Sequence, residues 1–535
     1  MLQRRLRASC LAFALVLAVP GPAAAESIAE ALALAYETNP TLRAARARLR
    51  ATNERVPQAL SNWRPQVTVD SSIGRQKIDD EDRFSTTDQF TTPKSGTLRV
   101  QQPIYRGGRT VAGVARAERE VRAERGRLDA AERDVLQRAV QAYLDVWRDR
   151  EILRLNRENV NSLSQQLEGA RQRFERGVAT RTDVAQAQTR VSRARARVEI
   201  TRGQLTASQA VYEEVIGQPP GDLTLPEPVD RLPANQASAE SLAREDNPDV
   251  QAALFASRAA DKQVRQTTGQ LLPTLTLDGQ LSREEETFRR SDETDRAQVQ
   301  LNLQVPLYQA GQVTSQVRQA KQTASQRRLE LAEARRRAVQ QARSAWGDLE
   351  SAREQITERR EQVEAAEIAL GGMEEELAVG SRTQIDVLDA EQDLFNAQIA
   401  LVRAQRDLAV ARFGVLAPIG RLSARDLNLD VPFYDPTRAF EAVRDLWFGL
   451  EAPEEEAGTE VNTAPAGVDG QNGLDAGDRR EVESLLTRLD FDPGRVDGVL
   501  DDRARRAIGQ FQEMAGLPVT NTADARLLTE LRAVA

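Results

Sequence analysis

Apolar and polar residues alternate strictly in four stretches of the chain. Val67, Val69, Ser71 and Ile73 are set against Gln66, Thr68, Asp70 and Ser72, and Leu98, Val100 and Ile104 against Thr97, Arg99 and Gln101. Further on, Leu275, Leu277, Gly279 and Leu281 oppose Thr276, Asp278 and Gln280, while Val299, Leu301, Leu303, Val305 and Leu307 oppose Gln298, Gln300, Asn302 and Gln304. Period two predicts strands with one apolar face. Two settings fit that pattern: a half-buried antiparallel sheet, or barrel strands with lipid outside and a polar lumen inside. The intervening segments, Lys77 to Lys94 and Arg283 to Arg296, are polar and charged and read as surface loops.

After each strand pair the period changes. No proline falls between Pro103 and Pro219 or between Pro306 and Pro418, which leaves room for helices of about 65 residues, roughly 100 Å long. Gly177 and Gly380 interrupt these runs, each followed by a Thr/Asp-rich turn and a new helix start. Beyond the second turn a seam runs Val387, Ala390, Leu394, Ala397, Leu401, Ala404, Leu408, Ala411, Val415, spaced by threes and fours. The same register, 203 residues earlier, gives Val184, Ala187, Val191, Ala194, Val198, Thr201, Leu205, Ser208, Tyr212. Such seams predict antiparallel coiled coils.

The shared register belongs to a duplication of the whole unit. Asn39-Pro40 recurs as Asn247-Pro248 and Pro65 as Pro273, at an offset of 208; Pro103-Ile104-Tyr105 recurs as Pro306-Leu307-Tyr308 and Ile216-Gly217 as Ile419-Gly420, at 203. The five-residue change lies in the loop between paired strands, where length is tolerated. Four strands cannot close a barrel, because bacterial outer-membrane barrels have at least about eight, and open edges are not tolerated in lipid. A barrel therefore requires assembly, two copies giving eight strands and three giving twelve. Trp63, Tyr105 and Tyr308 near strand ends are candidate membrane-interface aromatics.

Composition narrows the picture. The chain is 29% charged and 4% aromatic, with a mean hydropathy of −0.52, as expected of long solvated helices. Arg4, Arg5 and Arg7, an apolar run from Leu11 to Val19 and Ala23-Ala24-Ala25 read as a signal peptide over residues 1–25. Cys10, the sole cysteine, would leave with it, and the loss of three arginines and no acids takes the formal charge from −8 to −11. That balance disfavours nucleic acid as a partner. No later stretch is apolar enough for a spanning helix, so any membrane passage must use strands. With no histidine and no phosphate loop, nucleophile elbow, CxxC or HExxH motif, no catalytic residue, metal site or cofactor is assigned and the chain is not expected to be an enzyme.

The turns Arg176-Gly177-Val178-Ala179-Thr180-Arg181-Thr182-Asp183-Val184 and Val379-Gly380-Ser381-Arg382-Thr383-Gln384-Ile385-Asp386-Val387-Leu388-Asp389-Ala390 resemble the two periplasmic helix–turn–helix tips of TolC-type outer-membrane factors. Together with the repeat and the Pro-[IL]-Tyr strand exits, the resemblance spans about residues 26–449: repeat one about 28–220, repeat two about 238–420, and an equatorial extension at 421–449. It implies an α+β membrane protein in which a long antiparallel α-helical coiled-coil tunnel joins four β-strands per subunit, completing a twelve-stranded barrel in a homotrimer. It also implies two aspartate rings at the tunnel mouth, falling on Asp386 and Asp389, and a closing network of polar links at Thr182, Asp183 and Arg382. A tyrosine common in that lock is replaced by Leu377. The tips around Gly177 and Gly380 would meet a periplasmic adaptor (membrane fusion protein) serving an inner-membrane ABC or proton-driven transporter. Capping is the competing role for these acids, since Asp183 and Asp386 each stand at a helix start. A non-transporting envelope-spanning coiled coil is the rival reading of the whole chain.

From Asp445 to Asp478 there is no Lys or Arg, and residues 450–477 read as an acidic flexible linker reaching on the order of 30 Å. Beyond it, Val482, Leu485 and Leu489 have helical spacing and Ala507, Ile508, Phe511 and Leu517 form a second apolar face. Residues 480–533 resemble a three-helix peptidoglycan-binding domain through Asp492-Pro493-Gly494, Val496-Asp497-Gly498, Phe511-Gln512 and Gly516-Leu517-Pro518-Val519. They depart from it at Asp501 and Ala504, where that family usually has Gly and Thr. The resemblance implies a helical C-terminal domain at 478–535 acting as a periplasmic cell-wall tether, with a spacer or protein-docking module as the alternative.

Overall fold

Each repeated Asn-Pro pair starts a helix and ties down another. Proline occupies the first helical position, where no N–H is needed, and the asparagine side chain caps the new helix: Asn39 accepts from the Thr41 N–H and Asn247 from the Asp249 N–H, both at 2.9 Å. Their buried Nδ2 groups donate to carbonyls where the long helices end, Asn39 to Val215 and Asn247 to Pro418, again at 2.9 Å. The duplicated dipeptide is thus a clasp between helical layers.

The computed structural model describes residues 26–82, 85–227, 231–287, 293–450, 476–489, 491, 502–515, 523 and 525–534. The proposed signal peptide, most of the linker and the Asp492, Val496 and Gly516 motifs lie outside the described residues. In the first repeat come α1 (Ile28–Thr38), α2 (Pro40–Asn53), α3 (Arg55–Leu60), β1 (Gln66–Ile73), β2 (Gln76–Asp82), β3 (Ser85–Thr91), β4 (Lys94–Arg106), α4 (Arg109–Glu175) and α5 (Arg181–Ile216). The second repeat has α6 (Gln236–Asp246), α7 (Pro248–Thr268), β5 (Thr274–Glu285), β6 (Glu293–Gln304), α8 (Gln312–Ala378) and α9 (Gln384–Leu416), followed by α10 (Pro436–Arg444). The α4 and α8 helices each have 67 residues, about 100 Å at 1.5 Å per residue. Among the described residues no helix is long and apolar enough to cross a membrane.

The four-stranded sheet has the order β1-β4-β5-β6, antiparallel throughout. Its register lines the alternation up across all four strands. One row reads Val67, Val100, Gly279, Val299 and the next Val69, Leu98, Leu281, Ala297, while Thr68, Arg99, Gln280 and Gln298 form a polar row between them. The apolar face is exposed, Val69, Ile73 and Val299 each above 70%.

Three details depart from the alternation read in the sequence. The register slips by one between Pro103 and Tyr105, leaving Ile104 as a bulge residue, so Tyr105 rather than Ile104 stands opposite Leu275. The β6 strand stops at Gln304, so Val305 and Leu307 lie beyond it. The segments read as loops are partly strand: β2 and β3 pair as a second hairpin, and β5 and β6 run on to Glu285 and Glu293. The run from Ser85 to Gln89 is polar throughout and shows no apolar face, so hydropathy gives no sign of that hairpin.

The helical part departs in one way. The α5 helix buries a single seam, with Ala187, Val191, Ala194, Thr201 and Tyr212 fully covered. The α9 helix buries its seam at Val387, Ala397, Ala404 and Val415 and a second stripe at Leu388, Phe395, Val402, Ala409 and Leu416, seven residues apart. Two stripes face two neighbours, because α9 packs on α4 of the first repeat as well as on α8. Phe395 and Val402 cluster with Ile152 and Leu155, and Leu388 closes a cluster with Leu163, Leu167, Ala187 and Val191.

The main core lies midway along the long helices, where α1, α2, α6 and residues 421–444 wrap around them. There the Arg46 guanidinium lies 4.5 Å from the Tyr36 ring centre and 5.4 Å from that of Tyr434, and the Tyr434 N–H donates to Tyr36 Oη at 3.0 Å. Glu132 accepts from the Ala424 N–H at 2.7 Å, and burial pushes its carboxyl up to about 7.

The C-terminal unit contains α11 (Ala476–Arg488), α12 (Asp502–Met514) and α13 (Ala525–Val534). Val482, Leu486, Ile508, Phe511 and Leu531 form its core, Phe491 meets Phe511 edge-on at 6.0 Å, and Arg532 pairs with Glu481 at 2.6 Å. Leu489, grouped by spacing with Val482 and Leu485, is only partly buried, and Leu486 takes the inner position. Ala504 is fully buried.

Candidate functional site at the hairpin tips

Both tips are built by the same local chemistry. Gly177 and Gly380 take φ of +78° and +81°, a conformation that glycine enters without a Cβ clash. The turn then satisfies the last carbonyls of the incoming helix: the Gly177 and Val178 N–H groups donate to Phe174 and Arg173, and those of Gly380 and Ser381 to Leu377 and Glu376, at 2.9–3.0 Å. Three residues on, Thr180 and Thr383 cap the outgoing helices in full capping boxes.

The carboxylates of Asp183 and Asp386 close those boxes. Each accepts from the N–H and the hydroxyl of its capping threonine at 2.8 Å. The backbone donor first, and the hydroxyl next, hold both carboxyls below their ordinary range. Both acids therefore stay ionised at neutral pH at an exposed tip.

Asp389, one turn further along α9, makes a different contact. Arg190 of α5 donates to it at 2.6 Å and to the Leu388 carbonyl at 3.0 Å, linking the two tips within one chain. Beside this pair Glu391 accepts from Ser162 at 2.9 Å and Gln166 at 3.2 Å, while Gln384 donates to Gln166 at 2.9 Å and accepts from Arg173. Burial pushes the Glu391 carboxyl up, and its Oε2 has no hydrogen-bond partner among the described residues.

Of the residues assigned to tip closure, Arg382 pairs with Glu376 of its own hairpin at 2.7 Å and Asp183 is held by Thr180. Thr182 is exposed, on a groove of about 540 Å³ between the tips that Arg190, Ile385 and Asp389 also line. Within one chain Asp183 and Arg382 are thus engaged separately, each within its own hairpin. Trp63, Tyr105 and Tyr308 are exposed at the same end of the sheet, the end from which α4 and α8 leave.

Sequence reasoning missed Arg190, Glu391 and Gln384. A signal existed: Gln186, Gln188 and Arg190 of the first tip become Asp389, Glu391 and Asp393 at the 203-residue offset. A cation on the first tip where the second is acidic suits a contact between tips, but which residues meet depends on how α9 leans on α4.

An amphipathic four-stranded sheet continuous with 100 Å helices that end in paired helix–turn–helix tips, one of them acidic, defines a subunit of an outer-membrane export channel. The chain belongs to the family described as outer membrane efflux protein, whose model matches residues 31–218 and 240–421, and residues 475–531 match a putative peptidoglycan binding domain. It is 36% identical over 434 residues to the outer membrane efflux protein BepC of Brucella suis, covering 81% of this chain and 93% of that one. It is 28% identical over 346 residues to the alkaline protease secretion protein AprF of Pseudomonas aeruginosa, covering 62% and 71%. The crystal structure of the Campylobacter jejuni CmeC outer membrane channel shares the fold, with a TM-score of 0.68 at 16% identity over 78% of this chain and 89% of that one.

Proposed function

We propose that the chain works as a homotrimer, three sheets closing one twelve-stranded barrel in the outer membrane above a helical tunnel, as a passive conduit for export. The observation that carries this reading is the sheet: apolar on one exposed face, polar on the other, with β1 and β6 at its open edges. Edges unpaired in lipid are unsustainable, and eight strands would enclose only a side-chain-filled interior, whereas twelve leave a lumen.

In this reading the Gly177 and Gly380 tips dock on a periplasmic adaptor, and an ABC or proton-driven inner-membrane transporter supplies energy and chooses the cargo. The names of the two relatives divide between efflux and protease secretion, and a passive tube suits either. Asp386 and Asp389 from three copies set six carboxylates around one axis, a constriction favouring cations. Thr182, Asp183 and Arg382 then act between neighbouring subunits. The C-terminal unit binds peptidoglycan in the periplasm.

Purified full-length protein in planar bilayers tests the proposal. Discrete pores with cation preference, from a species whose native mass is three chains, are expected. A monomeric or dimeric mass, or no conductance, would overturn it and favour the non-transporting coiled coil.

A further inference from the structure

The extension after α9 does not end at the core it wraps. Beyond α10, which packs against α2 and α3, the chain reaches the foot of the sheet, where the Leu446 carbonyl accepts from Arg64 Nη1 at 2.6 Å. The Arg64 guanidinium also lies over the Trp447 ring, 4.6 Å from its centre. Arg64 stands two residues before β1 and next to Trp63.

The run pinned there is Leu446-Trp447-Phe448-Gly449-Leu450, and its large side chains face outward. Phe448 is 89% exposed and Leu450 fully so, with Trp447 at 58%. Consecutive exposed side chains of this size are costly in water and mark a surface that meets something apolar. Their level identifies the occupant. The last apolar pair of the sheet, Leu275 with Leu303, together with Tyr105, Tyr308 and Trp63, lies at this end, so a membrane around the sheet has its periplasmic boundary here. Tryptophan and phenylalanine flanked by arginine suit that boundary, the rings at headgroup depth and the cation reaching water.

We infer that residues 446–450 form a lipid anchor, inserted in the periplasmic leaflet of the outer membrane and clamped to the barrel by Arg64. The aromatic belt is thereby supplied from both ends of the channel sequence. The acidic sequence that follows, Glu451 and Glu454-Glu455-Glu456, is suited to returning to water. The inference rests on the barrel reading, and the test separates the two.

Cys10 is the sole cysteine, so in the full chain with C10S a spin label reports one site at a time. Labels at F448C, L301C on the apolar strand face and E441C on exposed α10 are compared in vesicles of phosphatidylethanolamine and phosphatidylglycerol. Collision rates with oxygen and with a water-soluble nickel chelate are read for each. The anchor predicts an oxygen-to-nickel ratio at 448 several-fold above that at 441 and below that at 301. A ratio at 448 equal to that at 441 places the segment in water and overturns the anchor. Suppression of both collisions, with dipolar broadening between labels, places it against a second copy and overturns it equally. A water-like ratio at 301 instead defeats the barrel reading.

Discussion

The two tips share a backbone and differ in charge. Each has the same left-handed glycine, the same pair of turn hydrogen bonds and the same Thr-x-x-Asp capping box. Yet where the first carries Gln186, Gln188 and Arg190, the second carries Asp389, Glu391 and Asp393. Turn geometry is thus separable from tip chemistry: the duplicated residues build two equivalent hairpins, and the unduplicated ones give them opposite electrostatic characters. Arg190 and Asp389 then turn the difference into a bond.

The largest test of that division is selectivity. Removing the two acids proposed to ring the mouth, D386A with D389A, is expected to abolish the cation preference of single channels, whereas D183A with Q186A should leave it intact. Equal effects from the two pairs would show that the tips are equivalent at the mouth.

Next in size are the caps, which are alike at the two tips. T180A and T383A should each cost about 1 kcal/mol of local helix stability, visible as faster amide exchange in the first turn of α5 and α9 respectively. Loss at one tip only would break the equivalence.

A smaller effect is expected of the link between the tips. A double-mutant cycle on Arg190 and Asp389 should give a coupling of about 0.2–1 kcal/mol, because both side chains retain solvent contact and the pair is screened. A coupling that persists undiminished in high salt would contradict this account.

The least is expected of Glu391. Burial holds its folded carboxyl above the ordinary value, so its contribution is fully present below the unfolded pKa and is lost as pH rises through the folded one. E391Q keeps the neutral form, and should raise the melting temperature relative to the parent at pH 8 but not at pH 4. A gain at both pH values would point to packing instead.

Much of this was legible in residue order. Period-two alternation marks β1, β4, β5 and β6, the long proline-free intervals mark α4 and α8, and the repeated Asn-Pro marks the duplication. The lapses are physical. The β2–β3 hairpin has no apolar face to register, Ile104 is displaced by a one-residue bulge, and the second stripe of α9 looks like excess hydrophobicity until α4 lies against it. At the candidate site the capping role of Asp183 and Asp386 was legible, because a capping box is local. The Arg190–Asp389 pair was not, because it joins residues 199 apart.

Local rules therefore settled the long helices, the four-stranded sheet and their duplication, since alternation, heptads, caps and turn glycines act over a few residues. The packed chain alone decided which faces became shared. It placed α9 on two helices at once, aimed Arg190 of one repeat at Asp389 of the other, and carried Trp447 to Arg64 at the foot of the sheet. Each joins residues far apart in sequence, where no spacing rule operates and only the shape of the assembled core brings them within reach.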